Sequence, residues 1–431
     1  MNASAVVRPL APSEVTFAGA GVYTGFAVRV SGRLDLAALA VAYEALVRAF
    51  PVLGARLEPA CDGGFDLVAG AGRVPEVSVV DGDPDLLVHD QEFDQGVALG
   101  RLSVVRDGDS ASVTLFTHHC IADACHSLAV LAELWSCYTD VVNGLPPERE
   151  VRPYPVAVEE LLAERGIEKT AMPAVRPAPP ERPQAGEEPA VVRAPADGGP
   201  GHVSLLVTRC RLSVAETAAL VEFGHREGVT VNGLVSAAIL LGDAEIRGLP
   251  LTEMTYVYPV DLRTRLTPAV GETDGTNLLG AAVHRPTADS TGLVELGRSI
   301  CASLAEAIAG GVVQQSPLHI PRGTAPRTAP PPPGLLIATN WGRVPAPRMP
   351  EGLRITDFRS AVVPASRPDA PPPPRQPGGG YCIISTFAGR LSVEFHHTAA
   401  DAAQQRRRAD TLMARLRDAA SAPCPSTPSW A

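Results

Sequence analysis

Apolar and polar positions follow two periods along this chain. "GFAVRVSG" (25–32) alternates as a strand does, and "LDLAALAVAYEALVRAF" (34–50) sets leucine and alanine at helical spacing. The same pair recurs further on. "ASVTLFTHH" (111–119) predicts a strand and "ACHSLAVLAELWSCYTDVV" (124–142) a helix. In that helix Leu128, Leu131, Leu134, Trp135 and Tyr138 fall on one stripe. Asp123 stands just before it, where a carboxylate caps free N–H groups. Further along, the pattern predicts a strand at 203–210, helices at 213–227 and 230–246, and strands at 254–261, 277–284, 335–340, 354–361, 381–387 and 391–397. A helix at 401–419 closes the chain. Strands and helices that alternate in this way predict an α/β (α+β) protein.

The pattern fails between 171 and 200, where proline, glycine and charge dominate. This segment reads as a Pro-rich linker between an N-terminal half (1–170) and a C-terminal half (201–431). Two further proline-rich tracts, at 324–334 and 367–380, read as surface loops between strands. The length of 431 residues agrees with two domains rather than one core.

Composition narrows the choice of partners. Hydrophobic residues make up 45% and charged residues 19%, as in a globular chain. The net charge of −10 argues against nucleic acid, which needs a basic face. "MNASAVVRPLAPSE" lacks a basic start followed by an apolar core, so no signal peptide is expected. "GLVSAAILLG" (233–242) is too short to span a bilayer. The eight cysteines form no CxxC pair and read as reduced, mostly buried thiols of a cytoplasmic protein. Cys120 and Cys125 are expected to be small core residues.

Candidate chemistry gathers in a repeated motif. "FTHHCIADAC" (116–125) and "FHHTAADAA" (395–403) both read His-His-x-x-x-Asp. Each is expected at a strand end, before a short turn and a helix, which is a weak internal repeat. Neighbouring residues of a strand point to opposite faces, so one histidine of each pair can enter a cleft. A histidine placed there can act as a general base near neutral pH. The aspartate can pair with an arginine and brace the turn. Taken alone, the spacing favours a purely structural role over a chemical one. The remaining histidines are dispersed, so no metal site is expected. No G-x-S-x-G elbow, P-loop or G-x-G-x-x-G is present, which removes support for an α/β-type serine hydrolase or a bound nucleotide.

Several stretches together resemble a known family. "THHCIADACHSLAVLAELW" (117–135), "YPVDLRTRLTPAV" (258–270), "TNLLGAA" (276–282) and "TNWGRVP" (339–345) are similar to the polyketide-associated acyltransferases. Within these the chain most resembles the phthiocerol/phthiodiolone dimycocerosyl transferases, standalone relatives of peptide-synthetase condensation domains in the chloramphenicol-acetyltransferase-like superfamily. The opening "GRLDLAALAVAYEALVRAFPVLGARLE" (32–58) also fits. The resemblance runs from about residue 8 to 418, with the proline-rich tracts outside it.

The resemblance implies two chloramphenicol-acetyltransferase-like halves facing across a central tunnel. It implies transfer of a polyketide or fatty acyl group from a thioester, on an acyl carrier protein or coenzyme A, to an alcohol. By the same resemblance His119 is the general base, and Asp123 pairs across the halves with Arg263 of the D-L-R motif. His118 is expected to pack or support the turn, and His126 to lie on a helix face. Asn340 and Trp341 are expected to build a bridge or tunnel wall rather than to act chemically. Of the two motif copies, the first is expected to work and His397 of the second is not. The implied partners are an acyl carrier protein or polyketide synthase, an acyl thioester donor and a small alcohol or amine acceptor. No cofactor and no metal are implied, and a monomer is expected. Ala124 stands where the family usually has glycine. It would strain a left-handed turn but is harmless as a first helical residue. Alternatives are an amide-forming condensation enzyme and a catalytically silent protein that binds carrier proteins.

Overall fold

The computed structural model describes residues 5–61, 63–70, 74–87, 93–171, 206–288, 292–321, 332–365, 380–397 and 401–422. The expected linker at 171–200, apart from its first residue, most of the tract at 324–334 and all but the last residue of that at 367–380 lie outside these. In chain order the first half holds β1 (Val6–Pro9), α1 (Pro12–Ala20), β2 (Val22–Ser31), α2 (Leu36–Ala49), β3 (Arg56–Pro59), β4 (Phe65–Val68), β5 (Ser78–Asp81), β6 (Gly100–Asp107), β7 (Ser110–His118), α3 (Ala124–Val142) and α4 (Val158–Ala163). Then come β8 (Leu206–Arg211), α5 (Val214–Glu227), α6 (Val231–Arg247), β9 (Thr255–Asp261), β10 (Leu279–His284), α7 (Leu293–Ala309) and α8 (Val312–Gln315). The chain ends with β11 (Leu335–Arg343), β12 (Arg354–Pro364), β13 (Gly380–Phe387), β14 (Arg390–His397) and α9 (Ala402–Ala420).

The strands form a five-stranded sheet (β12-β2-β7-β6-β5), a six-stranded sheet (β10-β9-β11-β13-β14-β8) and a small sheet (β1-β4-β3). Each large sheet carries its own core. In the first, Phe26, Val28 and Val30 of β2 meet the apolar stripes of α2 and α3, including Leu39, Tyr43, Leu134 and Trp135. Asp35 caps α2 by accepting from the N–H groups of Ala37 and Ala38. The opposite face of β2 is covered as well, by Phe93, Phe116 and Ala361 against Tyr23 and Ala27. In the second core α5, α6 and α9 cover the six-stranded sheet.

Chain order and spatial order differ in two places. β12 comes from the second half of the chain but pairs antiparallel with β2 from Val22 to Ser31, as an edge of the first sheet. Conversely, Val158, Leu161 and Leu162 of α4 belong to the second core. Arg209 on β8 fixes the crossing strand by donating to Asp357 (3.1 Å for Nη2–Oδ1) and to the Phe358 carbonyl (2.8 Å). Trp341 on β11 adds a further tie by stacking on Phe26 of β2 at 4.6 Å. Neither crossing is visible in a one-dimensional pattern, because both depend on which strand edge remains unpaired.

Gly25 makes the β12–β2–β7 junction possible. It pairs with Phe116 on one side and Ala361 on the other. A Cβ there would lie 2.5 Å from the Phe116 ring and 2.9 Å from the Ala361 methyl group. Overpacking of this kind costs about 1–3 kcal/mol. Gly25→Ala is therefore expected to lower the urea midpoint with little change in slope. An unchanged midpoint would mean that the Phe116 ring moves aside freely.

Candidate active site

β7 ends at His118 and the next residue, His119, lies in the turn that leads to α3. The Val22 carbonyl holds this turn by accepting from the His119 N–H at 2.8 Å, so β2 sets its position. The two histidines part as strand alternation requires. His118 is buried, with Tyr23 edge-on at 4.8 Å and Gln95 Oε1 3.1 Å from its Nε2. The Cys120 N–H donates to His118 Nδ1 at 3.2 Å. His118 is thus packed among Tyr23, Gln95 and Cys120.

His119 keeps part of its surface open. Its ring stacks on Phe17 of α1, with centroids 4.2 Å apart and planes 13° from parallel. Asn277, 2% exposed, grips the residue twice. Its Oδ1 lies 3.1 Å from His119 Nδ1, and its Nδ2 donates to the His119 carbonyl at 2.7 Å. His119 Nε2 makes no hydrogen bond among the described residues and is not one of their buried unpaired atoms. It is the accessible edge of the ring. Burial lowers the His119 pKa, offset in part by its own backbone carbonyl, by Asp123 and by Asn277. The ring is therefore neutral, and able to accept a proton, at neutral pH.

The turn is braced from the second half of the chain. Asp123 caps α3, its Oδ1 accepting from the His126 N–H at 3.0 Å. Its Oδ2 accepts from Arg263 Nη1 and from the Leu278 N–H, each at 2.9 Å. Asp123 is 1% and Arg263 3% exposed, so this is a buried ion pair. Arg263 also donates to Asp261 Oδ1 (3.0 Å) and the Glu272 carbonyl (3.1 Å). The Asp123 N–H reaches the Thr276 carbonyl at 3.0 Å, and His126 Nδ1 lies 2.9 Å from the Gly275 carbonyl. His126, expected on a helix face, is thus a buried contact between the halves. Ala124 is the first residue of α3, and Ala388 is the only non-glycine residue with positive φ among the described residues. Alanine at this position carries no strain.

α1 is tied to the same segment. Glu14, fully buried, accepts two bonds of 2.7 Å from Arg8 and one of 2.8 Å from the Thr276 hydroxyl. Phe17 lies one helical turn after Glu14, so the anchored carboxylate brings the phenyl ring onto His119.

The second motif has a different setting. His396 and His397 are 1% and 2% exposed. His396 Nε2 lies 2.7 Å from the Ser360 hydroxyl of β12, and His397 Nε2 lies 2.8 Å from the Thr208 hydroxyl of β8. Burial, with Arg359 and His397 nearby, pushes His396 down to about 3. Asn340 and Trp341 lie on β11, away from these hydrogen bonds. Asn340 donates to Asn232 Oδ1 at 2.7 Å, while Trp341 joins the first core as described. Cys120 is buried and Cys125 half-buried, and burial raises both thiols, Cys125 to about 11. No group of three or more His, Cys, Asp or Glu side chains among the described residues is arranged to hold a metal ion.

Residues 201–396 match the model of the phthiocerol/phthiodiolone dimycocerosyl transferase C-terminus. A phthiocerol/phthiodiolone dimycocerosyl transferase of Mycobacterium tuberculosis is 36% identical over 423 residues, covering 92% of this chain and 93% of that protein. One from Mycobacterium sp. (strain JLS) is 38% identical over 421 residues, covering 92% and 94%. The chain belongs to the phthiocerol/phthiodiolone dimycocerosyl transferase family. As a member of this family it is an acyltransferase. The solved structure of polyketide synthase associated protein 5 from Mycobacterium tuberculosis superposes with a TM-score of 0.79 at 32% identity, over 98% of this chain and all of that one. The condensation domain of a monacolin K polyketide synthase superposes at 0.61 with 15% identity, over 98% and 99%, and so shares the fold.

In this dimycocerosyl transferase relative, the expected His119, Asp123 and Arg263 do come together. Sequence reasoning missed Phe17, Glu14 and Asn277. Asn277 was within reach, because it lies inside the "TNLLGAA" stretch as a polar residue in an apolar run. Phe17 had no such signal.

Proposed function

We propose that this chain moves a polyketide or fatty acyl group from a thioester to an alcohol, with His119 as the general base. The observation that supports this best is the single accessible nitrogen of a neutral, part-buried histidine, on a turn clamped from both halves. The acceptor O–H gives its proton to His119 Nε2 as its oxygen attacks the thioester carbonyl carbon. The resulting tetrahedral oxyanion collapses, the C–S bond breaks, and the departing sulfur takes the proton back from His119. Every atom of acceptor and donor is then accounted for as ester and thiol, and no acyl-enzyme forms.

His118, Asp123 and Arg263 support the turn and do not exchange protons with substrate. The reading includes a tunnel between the halves that brings donor and acceptor to His119, with Asn340 and Trp341 in the bridge. The donor arrives on an acyl carrier protein, consistent with the polyketide synthase association that gives the structurally similar mycobacterial protein its name. The acceptors in the relatives' names, phthiocerol and phthiodiolone, carry the forms -ol and -diol, which denote alcohols and favour an ester over an amide. A catalytically silent binding protein loses its motive, since Ala124 leaves the turn unstrained. The protein acts in the cytoplasm as a monomer.

The test is incubation with a panel of acyl thioesters, on coenzyme A and on a carrier protein, together with long-chain alcohols and amines. Mass spectrometry is expected to show esters and released thiol. Amides alone would move the reading to the condensation enzyme. Thioester that stays intact with every acceptor would sink it.

A further inference from the structure

The Asn277 amide can be oriented in only one way. Its Nδ2 lies 2.7 Å from the His119 carbonyl, an acceptor, so the amide nitrogen must face that oxygen. Its Oδ1 then faces His119 Nδ1 at 3.1 Å. Two bare acceptors do not meet at that distance, so His119 Nδ1 carries the proton and Nε2 carries the lone pair. The neighbouring His118 is arranged the other way. There the Cys120 N–H donates to Nδ1, which leaves the proton on Nε2, facing Gln95 Oε1. Two adjacent histidines are thus held as opposite tautomers, each set by its own hydrogen-bond partner.

We infer that Asn277 is a positioning residue that fixes His119 as the Nδ1–H tautomer and aims its bare Nε2 at the acceptor hydroxyl. This rests on the general-base reading of His119. A free histidine side chain in water prefers its proton on Nε2, the form that cannot accept the acceptor's proton at the open edge. Phe17 holds the plane of the ring by stacking but has no atom to select a tautomer. Asp123 is the charged side chain acting on the ring, and it is itself engaged by Arg263; Asn277 and Phe17 bring no charge. The carbonyl of His119 also acts on the ring, and Asn277 Nδ2 grips that oxygen, so tautomer selection falls to Asn277 together with the carbonyl it holds.

The experiment combines nitrogen-15 NMR of histidine-labelled protein with kcat/KM profiles against pH. His119→Gln serves to assign the His119 signals. In the wild type, His119 is expected to show a protonated Nδ1 and a bare Nε2. Asn277→Ala should move the population toward Nε2–H and lower kcat/KM roughly 10- to 100-fold, a share of what a general base supplies. Asn277→Asp should restore the acceptor and keep Nδ1–H, while losing the bond to the His119 carbonyl. Its added carboxylate should shift the acidic limb of the profile to higher pH. If Asn277→Ala fails to fold, the aspartate variant carries the test. A wild-type His119 with Nε2 protonated, or a folded Asn277→Ala enzyme with unchanged tautomer and kcat/KM, would overturn the inference. If His119→Gln retains full activity, the general-base reading falls instead, and the nitrogen signals still report the tautomer.

Discussion

Replacing His119 by alanine is expected to slow acyl transfer about 10²–10⁴-fold, the usual contribution of a general base, without unfolding the protein. The ring is part-exposed, and its losses are one face-on contact with Phe17 and one bond to Asn277. The turn itself is held by backbone and by Asp123, and the substitution spares both. His397→Ala is expected to do the opposite. His397 is buried against Thr208, so its removal leaves a hydroxyl unpaired and costs about 1–3 kcal/mol of stability. The rate should stay near wild type. Initial rates at saturating donor, read beside urea midpoints, separate the two outcomes. A folded His119→Ala enzyme at wild-type rate, or a folded but inactive His397→Ala, would reverse the assignment.

That contrast marks where the sequence stops being informative. The two motif copies are alike over six residues, and both end a strand. What separates them is the third dimension. His119 meets residues 17 and 277, whereas β12 crosses from one half to cover His396 with Ser360. The helices and strands were legible because each buries one face at a fixed period, as Leu131, Leu134 and Trp135 do on α3. The Asp123–Arg263 pair was legible only through resemblance, since 140 residues separate the partners. Asn277 sat in plain view without a role, because an amide in a loop gains meaning only from the ring it faces. The destination of β12 had no local signal at all. Its alternation is that of any strand, and only the free edge of β2 decides where it pairs.

The buried pair itself should respond most strongly of all to substitution. Asp123→Ala is expected to cost about 3–5 kcal/mol, because it takes the buried carboxylate from Arg263 and leaves it only the part-exposed Asp261 as a charge partner. It also removes the cap of α3 and leaves the Leu278 and His126 N–H groups without their acceptor. Arg263→Ala leaves the carboxylate buried, but those two N–H groups still donate to it. Its cost should therefore sit at the lower end of the same range. Domains commonly have a net stability of about 5–15 kcal/mol, so either change should depress soluble yield as well as the urea midpoint. The double variant decides whether the pair is the cause. Once one partner is gone the other has no charge to satisfy, so the double variant should cost clearly less than the sum of the singles. Its remaining deficit should match the two unpaired N–H groups, His126 at the cap and Leu278, because those losses do not depend on Arg263. Wild-type midpoints in both single variants would sink the pairing, and strict additivity would place the stabilisation in the backbone contacts of residues 274–278 instead.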